Sequence, residues 1–114
     1  MNIIILEYLD ETHFHSFADS HCEKFVLFLY KSIDESSSDD TVKFSSLNLL
    51  NATRALMVEK TIDYRRFKLK YKDKIYDFDE DSNIVCDEKG FPNLEKYSNE
   101  TFIRRILKAR IANG

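Results

Sequence analysis

Apolar positions fall into short blocks whose spacing changes along the chain. Ile3 to Leu9 is short and rich in Ile and Leu, and reads as a buried strand ending at Asp10. Asp10-Glu11-Thr12 supplies polar caps and an early carboxylate for a helix, and Phe14, Phe17, Ala18 and Cys22 follow at helical spacing. Every position from Phe25 to Tyr30 is apolar. A helix apolar all round must be buried all round, which is hard in a small domain, whereas a central strand is buried on both faces. The run therefore predicts a strand over 25–31, with one long helix from Thr12 to Ile33 as its rival.

Ser32 to Thr41 holds three consecutive serines flanked by Asp34, Glu35, Asp39 and Asp40, and predicts a solvated, mobile loop. Phe44, Leu47, Leu49, Leu50, Ala52, Leu56, Met57 and Ile62 keep an approximate 3.6 period, so a helix capped by Ser45 or Ser46 should run to about Thr61. Arg66-Phe67-Lys68-Leu69-Lys70-Tyr71-Lys72 alternates strictly, as a strand with one wet face does. Lys74 to Asp79 alternates again, which predicts a hairpin turning at Asp73-Lys74, with Lys70 opposite Asp77 and Lys68 opposite Asp79. Asn83 to Cys86 reads as a third strand after a turn over 80–82, and Gly90 to Asn93 as a loop. Ser98 or Asn99 then caps a last helix with Phe102, Ile103, Ile106, Leu107 and Ile111 on one face.

These elements predict an α+β domain: a small mixed sheet with a β-hairpin or meander at about 65–87, and two to three packed helices. Their order is β-α-β-α-β-β-(β)-α. It resembles that of glutaredoxin- and thioredoxin-type folds. The Cys-x-x-Cys pair that carries their chemistry is absent, so the resemblance implies topology and no redox activity.

The chain has 114 residues, a length suited to a single domain over 1–114. With 2 Gly and 1 Pro it offers no glycine-dependent phosphate loop and no turn-dense sandwich. The N-terminus lacks a basic n-region and its apolar run stops at Glu7, so neither a signal peptide nor a membrane span is expected and the cytoplasm is the predicted location. Cys22 and Cys86, in no recognisable spacing, are expected as thiols, with a single disulfide as the rival reading.

Four clusters carry candidate chemistry. Arg65, Arg66, Lys68, Lys70, Lys72 and Lys74, interleaved with Phe67, Leu69 and Tyr71, could form a nucleic-acid platform, although a hairpin would pair the cations with Asp77 and Asp79 and turn the aromatics inward. Asp77, Asp79, Asp81 and Glu88 resemble positions 1, 3, 5 and 12 of an EF-hand loop, with Ile84 at the eighth. Ser82 stands at the sixth position, where such loops carry Gly, and Val85 at the ninth, so no metal is expected. His13, His15, His21 and Cys22 lack the spacing of a helical metal site and are expected to be a helix surface. Arg104, Arg105, Lys108 and Arg110 crowd the last helix, where cations suit the negative pole of the dipole.

No catalytic motif stands out, and charge is segregated along a chain of net charge -3. The expected role is a non-enzymatic domain, without cofactor, that occludes a partner protein as immunity proteins, antitoxins and inhibitors do. The partner should present a basic surface, and the expected contact residues are Asp34, Glu35, Asp39, Asp40, Glu80, Asp81, Asp87 and Glu88. A nucleic-acid module built on Arg65–Lys74 and the last helix is the alternative, and a small enzyme built on His13, His15 or Cys22 a third. No membrane partner is expected.

Overall fold

The computed structural model describes residues 3–8, 19–35, 39–44, 47–85 and 100–113. Strand β1 (Ile4–Tyr8) leads to helix α1 (Asp19–Glu35), strand β2 (Asp40–Phe44) and helix α2 (Leu47–Val58). A single 3-10 turn (Tyr64–Arg66) precedes strands β3 (Phe67–Tyr71) and β4 (Lys74–Asp77), and helix α3 (Glu100–Asn113) closes the order. The class is α+β, with a mixed four-stranded sheet in the order β2-β1-β3-β4 and three helices. β1 is parallel to β2 and to β3, while β4 returns antiparallel to β3.

Alternation along the two central strands sets one face of the sheet against the core. Ile4 and Leu6 of β1, with Phe67, Leu69 and Tyr71 of β3, are buried, while Ile5, Glu7, Lys68 and Lys70 on the other face are half-buried. The buried face joins Cys22 and Val26 of α1, the apolar side chains of α2 from Leu49 to Val58, and Phe102 and Ile106 of α3 in one cluster. Every residue of α2 from Leu49 to Val58 is buried, because the helix packs against both α1 and α3. The Schellman motif ends α2: Lys60 N–H donates to Met57 C=O and Thr61 N–H to Leu56 C=O, with Lys60 left-handed at φ 64°. Asn113 closes the same end by donating its amide to Val58 C=O.

Three local expectations are corrected. Residues 25–31 are helix, the rival reading, and the second strand lies at Asp40–Phe44, inside and just after the stretch expected as loop. Phe25 and Phe28 are 43% and 67% exposed, so the apolar run did not have to be buried on every side. The hairpin turns at Lys72-Asp73 rather than Asp73-Lys74, with both residues at positive φ (48° and 66°) as the primed two-residue turns require. This shifts the register by two residues, which keeps every side chain on its expected face but changes the pairs: Lys68 lies opposite Asp77, and Lys70 opposite Ile75. On α3 the buried positions are Phe102 and Ile106, with Leu107 51% and Ile111 82% exposed, because the inward line of the helix continues through Ala109.

The expected third strand reduces, among the described residues, to a single antiparallel bridge between Phe78 and Ile84. The start of the long helix at Thr12, the run 36–38, Cys86 and the loop 90–93 lie outside the described residues. No described helix is long and apolar enough to cross a membrane.

Candidate functional site at the acidic end of the sheet

The strand register brings two distant acidic segments to one end of the sheet. Ile4 pairs with Asp40 on one side and with Phe67 on the other, and Lys68 pairs with Asp77, so the same row runs from Asp40 through Ile4 and Phe67 to Phe78. Asp39 and Asp40 therefore lie at the same end as the turn of residues 79–82, about three strand spacings (~14 Å) away. Helix α1, which connects β1 to the parallel β2, brings Asp34 and Glu35 in its last turn toward this end as well. That last turn holds no basic residue.

The acidic groups differ in what they already hold. Asp39 Oδ1 accepts the Ile3 N–H at 2.8 Å, tying the entry of β2 to that of β1. Asp63 caps the 3-10 turn by accepting the Arg65 N–H, and its carboxylate receives both Nε (3.0 Å) and Nη2 (2.9 Å) of Arg65. Those side-chain bonds hold the Asp63 carboxyl below its ordinary value, against the weaker opposing effect of burial. Asp77 meets Lys68 Nζ at 2.6 Å. Asp79 Oδ1 accepts the N–H groups of Asp81 and Asn83, each at 2.9 Å, and fixes the turn. Glu80 and Asp81 are exposed, and among the described residues their carboxylates hold no partner.

Two arginines clamp this turn from the helical layer. Buried Arg54 of α2 donates Nε to Ser82 C=O (2.9 Å) and Nη1 to Asn51 Oδ1 (2.8 Å). Arg110 of α3 donates Nε to Asp81 C=O and Nη2 to Asn83 Oδ1. Ser82 is fully buried at φ 64°, and its hydroxyl has no hydrogen-bond partner among the described residues. Ser82 thus adopts the left-handed conformation for which EF-hand loops use Gly, but Asp77 and Asp79 are already engaged. No group of three or more His, Cys, Asp or Glu among the described residues could hold a metal ion.

The other clusters disperse. Of the basic strand, Arg65 is paired with Asp63, Arg66 is buried with its guanidinium 5.0 Å from the Tyr30 ring centre, and Lys68 is paired with Asp77. Phe67, Leu69 and Tyr71 face the core. Arg105 of the basic last helix turns inward: it forks onto Glu59 (Nε 3.1 Å, Nη2 2.6 Å) and bridges to Glu23 of α1. The Glu59 bonds push its guanidinium further above the ordinary value, against the opposing effect of burial and with help from Glu23. His21 is exposed and Cys22 is a buried thiol, 1% exposed, so neighbours in sequence face apart. His13, His15, Asp87 and Glu88 lie outside the described residues.

Sequence reading missed Arg54, Asn51 and Ser82 as a buried polar unit. Its trace in the sequence is Asn51-Ala52-Thr53-Arg54, a polar stretch inside an otherwise apolar helix. No family model, no curated protein and no solved structure matches the chain.

Proposed function

We propose that the chain is a non-enzymatic protein-binding domain that occludes a partner through the acidic end of its sheet, in the manner of an immunity protein, antitoxin or inhibitor. One observation carries the reading. Asp34, Glu35, Asp39, Asp40, Glu80 and Asp81 belong to segments that gather at one end of the fold, and Glu80 and Asp81 are exposed with no partner for their carboxylates among the described residues. Like charges gathered at one end weaken the isolated domain, and a basic surface laid over them would relieve that repulsion. The fixed turn beneath Glu80 and Asp81 keeps the ordering cost of binding low. A basic protein is the matching partner, and charge of this kind raises the association rate more than it deepens affinity.

The test compares the unaltered chain with a variant carrying Asp39→Lys, Asp40→Lys, Glu80→Lys and Asp81→Lys. Both are immobilised and exposed to extract of the source cells, and any stoichiometric partner is purified and its binding kinetics measured. The expected result is a single basic protein captured by the unaltered chain alone, with an on-rate that falls as salt rises. Equal capture by both chains, or capture only of nucleic acid with a steep salt slope, would overturn the reading.

A further inference from the structure

Asparagine followed by glycine is the dipeptide most prone to lose its side-chain amide, because glycine has no Cβ to shield its backbone nitrogen. Of the seven asparagines in the chain, Asn113 alone precedes a glycine, Gly114. Asn113 is exposed and is the last residue of α3, so water reaches it and the helix end opens at little cost. Its amide also holds two elements together. Asn113 Nδ2 donates at 2.9 Å to the C=O of Val58, a fully buried residue. Among the described residues, the Schellman hydrogen bonds at the end of α2 supply that carbonyl with no other donor.

We infer that Asn113 is a self-modifying site whose deamidation releases α3 from the end of α2. When the helix end frays, the Gly114 backbone nitrogen attacks Asn113 Cγ. The new C–N bond closes a cyclic imide, the Cγ–Nδ2 bond breaks, and Nδ2 leaves as ammonia with the Gly114 amide proton. Water then opens the imide at either carbonyl, leaving aspartate or isoaspartate at position 113. Both products replace the donor amide with a carboxylate. That carboxylate faces Val58 C=O at the negative poles of two helices, where anions are disfavoured. Arg110, the basic residue in the last turn of α3, already donates to Asp81 C=O and Asn83 Oδ1. It cannot fork onto the new charge without releasing the turn of residues 79–82. Folding and modification thus oppose each other: the closed helix end protects the amide, and loss of the amide loosens that end. The clasp is independent of the proposed partner binding.

Incubation of the full chain at mildly basic pH, followed by peptide mass mapping, tests the reaction, and thermal unfolding tests its consequence. The unaltered chain should acquire the mass change of amide-to-acid exchange at position 113, faster in urea than when folded. Gly114→Ala keeps the amide and should lose most of that change over the same incubation. Asn113→Asp should melt roughly 4–8 °C below the unaltered chain. Asn113→Ala, which loses the donor without gaining charge, should melt between the two. Exchange that is absent at 113 or comes first at another asparagine, a rate no slower in the folded chain than in urea, an equal rate in Gly114→Ala, or an Asn113→Asp chain that melts with the unaltered one would each overturn the proposal.

Discussion

Replacing Ser82 with Gly should stabilise the protein. The residue is fully buried, its hydroxyl lacks a partner among the described residues, and its φ is 64°. Removing an orphaned buried hydroxyl recovers about 1 kcal/mol, the lower end of the cost of burying such a group. A left-handed conformation costs a residue with a Cβ about 1–2 kcal/mol, and glycine escapes that cost while giving back about 0.5–1 kcal/mol in unfolded-chain entropy. The net gain for Ser82→Gly is therefore about 1–2.5 kcal/mol, centred near 2. Ser82→Ala removes only the hydroxyl and should gain about 1 kcal/mol. In thermal unfolding followed by circular dichroism, these gains correspond to rises of roughly 4–10 °C and 4 °C. Urea unfolding should show the same ranking with an unchanged m-value. An alanine variant less stable than the unaltered chain would mean that the hydroxyl has a partner. A glycine variant no better than alanine would mean that the backbone is not left-handed at this position.

Four further outcomes are expected. Lys68→Glu should cost a few tenths to about 1 kcal/mol in denaturant unfolding and be largely restored by Asp77→Lys, whereas Lys70→Glu, opposite Ile75, should cost less and gain nothing from Asp77→Lys. Arg105→Met should cost about 1–3 kcal/mol, because it leaves Glu23 and Glu59 without their shared cation, and Glu59→Gln in the same chain should recover part of the loss. The double change Lys72→Asn and Asp73→Gly should raise stability by about 1 kcal/mol, since both residues sit at positive φ in a turn that favours Asn-Gly. Asp63 titrates below its ordinary value of 3.8, so its pairing stabilises the fold above that value and is lost as pH falls through the depressed folded value. Asp63→Asn should accordingly flatten the acid limb of a stability-versus-pH curve, by a small amount because the pair is solvent-exposed.

The sequence by itself determined the elements in which apolar and polar positions alternate or recur with one clear period. Strand β1, helices α2 and α3, and the hairpin of β3 and β4 are legible because burial on one face writes a period into the chain. It also determined which hairpin side chains face the core, since a two-residue register error preserves the faces. Tertiary structure alone decided the rest. The run 25–30 has no period, so only packing of Cys22 and Val26 against the core shows it to be a helix with two phenylalanines left outside. β2 has few apolar residues to announce it and exists because β1 supplies its hydrogen-bond partners. The hairpin turn falls on Lys72-Asp73, and the end of α2 on Lys60, because a chain with 2 Gly closes its turns with left-handed residues that composition cannot flag. The acidic end of the sheet depends in the same way on strand register. Residues 39–40 and 79–81 are far apart in the chain and come to the same end of the sheet only because β2 and β4 flank the same two central strands.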